Sequence, residues 1–190
     1  MTWSHWLIGA LWLVLIAYWA IAAIGAKRNV GGPISWKEGG LRLAILLIVL
    51  LALGSPRLRH AAASVQAAAD VSPLMRVGGV ALCALGIALA ILARHRLGRN
   101  WGMPMSRKQD PELVTTGPYA VLRHPVYAGL LLAMLGSAMG ASVFWLLPLL
   151  LFGAYFIYSA RQEEKLMLAQ FPAQYPAYMR RTRMLVPFLL

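Results

Sequence analysis

The sequence predicts an all-α, polytopic integral membrane protein with five transmembrane helices, and three observations predict it. Of its 190 residues, 60% are hydrophobic and only 13% charged. With a mean hydropathy of +0.65, that composition is too apolar for an ordinary water-soluble domain. The apolar residues gather in runs near the roughly 20 residues that a helix needs to cross the hydrocarbon layer. The formal net charge of +12 is concentrated between those runs. The single cysteine, Cys83, excludes an internal disulfide and redox chemistry between paired thiols.

The first run, Trp3 to Ile24, carries Trp3, Trp6, Trp12, Tyr18 and Trp19, aromatic residues of the kind that populate membrane interfaces. It is too long for a signal core and lacks a basic leader, so we expect it to be retained as a span. The second runs from about Leu41 to Gly54, starting as early as Trp36, with Arg42 close enough to its end to reach the headgroups. Residues 57–70 are alanine-rich and read as a short interfacial helix. The third span, about Leu74 to Ala93, contains Gly78, Gly79 and Gly86, which permit close helix packing, and Cys83 as a small apolar packing residue.

Residues 126–160 form 35 consecutive uncharged positions. One helix of that length would extend about 50 Å, against a bilayer core of about 30 Å. The segment is therefore expected to fold back near residues 136–142, giving a hairpin of two short spans. Fourteen of the eighteen Lys and Arg fall at 27–37, 94–123 and 161–183. An external N-terminus puts all fourteen on the cytoplasmic side, as the positive-inside tendency favours. The expected location is thus a multi-pass membrane protein, of the prokaryotic inner-membrane kind, with its functional face toward the cytoplasm. Anionic lipid heads then balance the basic residues, and no nucleic-acid partner is required.

The polar residues that could carry chemistry lie in two stretches flanking the hairpin. In the first, Pro125 suits the opening turn of a helix and pushes the residue before it toward extended backbone. Arg123 and His124 are therefore expected at the positive end of the fourth span, where free N–H groups can receive a carboxylate. Each residue alone also suits a plainer role: Arg123 as an anchor, His124 as a cap, Tyr127 as an interfacial aromatic, Gly129 as a packing contact. The second stretch opens with Glu163 and Glu164, two of only six acids in the chain. They suit either a ligand's ammonium and hydroxyl groups or a solvated face with Glu164 paired to Arg161 or Lys165. Neither a convincing metal-ligand spacing nor a phosphate-cradling glycine loop is present.

The ordered combination of Leu97-Gly98-Arg99-Asn100-Trp101, Glu112 to Tyr119, Arg123-His124-Pro125-Val126-Tyr127-Ala128-Gly129, and Glu163-Glu164 followed by Phe171, Tyr175, Tyr178 and Pro187 resembles the integral-membrane isoprenylcysteine carboxyl methyltransferase family. The likeness is to its short five-span prokaryotic members and covers about the C-terminal half. It implies a three-span N-terminal region (1–93) and a methyltransferase core (94–190). It also implies S-adenosylmethionine as cofactor and a lipophilic small-molecule or lipid-modified acceptor drawn from the bilayer. The family's cofactor pocket maps onto Leu113, Val114, Gly117, Tyr119, His124, Pro125, Tyr127, Gly129, Glu163 and Glu164. Arg123 and Arg161 are candidates to orient an anionic acceptor, and His124 or a glutamate would serve as a base if the acceptor is an amine. Other readings are a phospholipid N-methyltransferase, a sterol-type membrane reductase using NADPH, and a non-enzymatic membrane assembly protein. Leu130-Leu131-Leu132 after Gly129 disfavours the reductase, whose members often carry an acid there.

Overall fold

The computed structural model describes residues 2–23, 36–68, 72–98 and 112–185. Seven α-helices appear among them: α1 (Trp3–Ala23), α2 (Trp36–Gly54), α3 (Pro56–Ala68), α4 (Pro73–Leu97), α5 (Pro125–Gly140), α6 (Leu146–Gln170) and α7 (Tyr175–Arg181). Short 3₁₀ turns at Gly117–Ala120 and Val143–Trp145 precede α5 and α6.

Among the described residues, three helical stretches are long and apolar enough to cross a bilayer alone: Trp3–Ala22, Pro73–Leu97 and Val143–Gln170. The expectation of five spans is thus only partly met. The second expected span is continuous as α2, but it qualifies as a span only together with the next helix, Leu43–Ala52 and Pro56–Val65 meeting at 72°. Pro56 cannot donate to the preceding turn, so the helix restarts there. The alanine-rich stretch after it is helical, as expected, in α3. The fourth expected span, α5, has 16 residues, about 24 Å of helix, short of the hydrocarbon thickness. The reversal expected within 126–160 is present: α5 ends at Gly140, and Ser142 caps the next turn by accepting from Phe144 N at 3.2 Å.

The core sits where α4 and α5 meet. Gly79, Cys83, Gly86 and Ala90 face Gly129, Ala133, Gly136 and Gly140 so closely that the backbones touch. A β-carbon on Gly129 would stand 2.6 Å from Gly86 O and 2.8 Å from Ala90 N. Small residues are what permit that approach, since interiors of this density leave no room for a methyl group. Gly78, by contrast, points into open space. Ile8 and Leu15 of α1 complete this cluster, and Trp12 stacks on Trp145 at 5.1 Å while its indole N–H donates to Ser137 Oγ at 3.0 Å.

Elsewhere the apolar surface is turned outward: Trp6, Ile21, Leu74 and Leu150 are 70–80% exposed. Exposure on that scale on apolar helices is the signature of lipid as the solvent. Arg94 departs from the role of a surface anchor. It is buried and donates to Gly98 O at 2.8 Å and to Ala22 O at 2.5 Å, tying the end of α4 to the end of α1.

Candidate functional site

The site forms where the N-terminus of α5 meets the last third of α6. Pro125 opens α5 and is fully buried, and His124 stands at the N-cap with φ −125° and ψ 59°. The segment before it is held by the chain's C-terminal strap. Arg123 N donates to Arg183 O at 2.7 Å, His124 N to Met184 O at 3.1 Å, and Arg183 N to Val121 O at 3.0 Å. Beneath this short parallel pairing, Tyr178 Oη donates to Tyr119 O at 2.7 Å and Thr182 Oγ1 to Tyr178 O at 2.7 Å.

On that frame the two expected stretches converge. Arg123 Nε donates to Glu164 Oε1 at 2.5 Å, and a terminal guanidinium nitrogen donates to Thr182 O at 2.7 Å and Met179 O at 3.3 Å. His124 lies between both acids, with Nδ1 3.4 Å from Glu163 Oε2 and Nε2 3.4 Å from Glu164 Oε1. Tyr127 Oη donates to Glu163 Oε1 at 2.5 Å and stands 3.2 Å from Ser159 Oγ, which donates to the same carboxylate oxygen at 3.3 Å. The rings of His124, Tyr127 and Phe156 stack in near-parallel order, 5.6 Å and 4.5 Å between successive centroids.

Burial opposes charge on the His124 ring, but attraction to the adjacent Glu163 and Glu164 carboxylates outweighs it, and its pKa is raised above the ordinary histidine value. Burial, aided by neighbouring phenol and carboxylate groups, raises Tyr119 and Tyr175. Burial also pushes Tyr178 up to about 12. All three phenols therefore stay protonated near neutrality, as donation from Tyr178 Oη requires. Within the cluster, His124 Nε2 is buried and makes no hydrogen bond.

Of the residues expected in the cofactor pocket, His124, Pro125, Tyr127, Glu163 and Glu164 come together here. Gly129 lies one turn further along α5 in contact with α4, and Gly117, at φ 62°, is exposed beside the Arg96 side chain. Tyr119 is buried and contributes its carbonyl to the strap. Leu113 and Val114 are half-buried in the extended segment leading to the first 3₁₀ turn. Glu164 pairs with Arg123 rather than with Arg161 or Lys165, both of which are exposed. Residues 99–111 and 186–190, including Arg99-Asn100-Trp101, Gly102 and Pro187, lie outside the described residues. Sequence reasoning missed Ser159, Phe156, Thr182 and Met184. Ser159 had one available signal, a hydroxyl four residues before Glu163 and so on the same helical face.

A chain whose apolar helices gather an arginine, a histidine and two glutamates at the end of a hairpin falls in the class of helical membrane proteins with a polar cluster at the end of their helices. Within that class the chain belongs to the phospholipid methyltransferase family, whose model matches residues 74–174. Among curated proteins it is similar to the cobalt-zinc-cadmium resistance protein CzcN of Cupriavidus metallidurans, 33% identical over 122 residues, 63% of this chain and 52% of that protein. It is also similar to the nickel-cobalt-cadmium resistance protein NccN of Alcaligenes xylosoxydans xylosoxydans, 32% identical over 108 residues, 55% of this chain and 48% of that protein. The chain thus spans about half the length of these curated relatives.

Proposed function

We propose that the protein uses S-adenosylmethionine to methylate a lipophilic acceptor drawn from the bilayer. The observation that carries this reading is the convergence of Glu163 and Glu164 on His124 at the first turn of α5. A zwitterionic nucleoside needs acids for its ammonium and ribose hydroxyls and a helix N-terminus or cation for its carboxylate. The residues fit: two carboxylates and an uncapped helix start lie together. The cofactor supplies an electrophilic methyl group on a sulfonium.

Glu163 and Glu164 hold its positive and hydroxyl groups. Arg123, locked to Glu164 and the strap, keeps that acid in place. His124, held cationic by the two acids, acts as a fixed donor. That protonation suits an acceptor that is already anionic, since a carboxylate oxygen could take the methyl group, with the thioether as leaving group, without first losing a proton. Catalysis then rests on alignment and exclusion of water. An amine acceptor would instead require His124 to shed its proton. We assign the core to residues 94–190 together with α4, which packs against it. We further propose five membrane crossings, counting α5 and the bent α2–α3 pair, with the site facing the cytoplasm.

Isothermal titration of detergent-purified protein tests the reading. Binding of S-adenosylmethionine, absence of NADPH binding, and loss of the former in Glu163→Gln/Glu164→Gln support it. Unchanged affinity in a folded double variant rejects it. The names of the two relatives support a second, physiological reading, a part in tolerance of cobalt and cadmium. Growth of a deletion strain at graded concentrations of those metals tests it, and unaltered growth rejects it.

A further inference from the structure

The outer face of α6 carries a feature that the cluster does not use. Ala154, Ile157, Tyr158, Arg161 and Lys165, with Met179 of α7, line an open groove of about 580 Å³. Ala154, Tyr158, Arg161 and Lys165 recur at three- and four-residue spacing, so they share one helical face. Along that face the chemistry changes once. Leu150, Ala154 and Tyr158 are exposed and largely apolar, and Arg161 and Lys165 follow toward the C-terminal end. From Ala154 to Lys165 the helix rises about 16 Å, enough to pass from acyl chains to headgroups.

The two cations are i and i+4 on the same face, close enough to repel. Glu164 borders the groove but is held by Arg123, and neither Arg161 nor Lys165 makes an ion pair among the described residues. The face therefore offers a two-pronged cationic seat above an apolar trough. The shape and charge match an amphiphile with an anionic head and acyl tails.

We propose that this groove binds one anionic phospholipid of the surrounding bilayer, its phosphate between Arg161 and Lys165 and a chain along Ala154, Ile157 and Tyr158. The lipid is a bound ligand and not the methyl acceptor, so the proposal does not depend on methyl transfer. Charge complementarity selects it over phosphatidylcholine, whose choline repels the same pair.

Native mass spectrometry of the full chain, titrated with phosphatidylglycerol or phosphatidylcholine of identical acyl chains, tests it. The expected result is one tightly retained phosphatidylglycerol, at least tenfold preferred over phosphatidylcholine. That preference should be lost in Arg161→Gln/Lys165→Gln and kept in Arg57→Gln/Arg59→Gln, which removes the same charge from α3. Circular dichroism melts confirm that both double variants are folded. Equal retention in the groove variant, or equal loss in the α3 variant, overturns the proposal. Displacement of the phospholipid by a single-chain carboxylate that is itself methylated would give the groove to the acceptor and also overturn it.

Discussion

Arg123 and Glu164, 41 residues apart, meet through Nε and Oε1 at 2.5 Å with both side chains only 11% exposed. That contact joins the start of the hairpin to its end. Removing one partner strands a mostly buried charge, which typically costs about 3–5 kcal/mol. Arg123→Met is expected to lower stability by about 3 kcal/mol, and Arg123→Met/Glu164→Met to recover part of the loss. Denaturant titration in micelles checks this, and a double variant no more stable than Arg123→Met would show that the ion pair contributes little.

Stability should also depend on pH through His124, which faces Glu163, Glu164 and, through Glu164, Arg123. Its folded pKa is raised, so the folded state binds the proton more tightly than the unfolded chain. The resulting stabilisation is complete below the unfolded value of about 6.5 and fades as pH rises through the higher folded value. Melting temperature is expected to fall from weakly acidic to mildly alkaline pH, and the slope to flatten in His124→Gln. Parallel profiles for the two proteins would contradict the assignment.

The contact between α4 and α5 leads to a paired test. At Gly136 an added methyl group meets the backbone of Cys83 and Gly79, so Gly136→Ala is expected to cost about 1–3 kcal/mol from overpacking. Gly78→Ala meets nothing and should be neutral or stabilise by up to about 1 kcal/mol through helix propensity. Thermal unfolding of the two variants side by side decides it.

A chain ending at Arg181 loses the backbone acceptors of Arg123 N and His124 N at residues 183 and 184 and the Thr182 carbonyl. Cofactor affinity is expected to fall at least tenfold while helicity stays close to that of the full chain. Undiminished binding by the shortened chain would show that the strap does not position His124.

Access from the lipid phase is checked with acceptors. A lipophilic acceptor should be methylated far faster than a water-soluble analogue lacking its tail, and equal rates would place entry on the aqueous side.

What the sequence determined by itself was the class of environment and the identity of the reactive stretches. Long charge-poor runs require a bilayer whatever their packing, and Pro125 after His124 dictates a helix start through local backbone sterics alone. The hairpin was legible too, because 35 uncharged residues exceed the thickness they must fit. Only the tertiary structure decided the rest. Which cation neutralises Glu164, why Gly129 is a glycine, and how Met184 and Thr182 hold His124 and Arg123 all depend on contacts between residues far apart in the chain. Local pattern reports the face a residue occupies, while its partner depends on where another segment arrives in space.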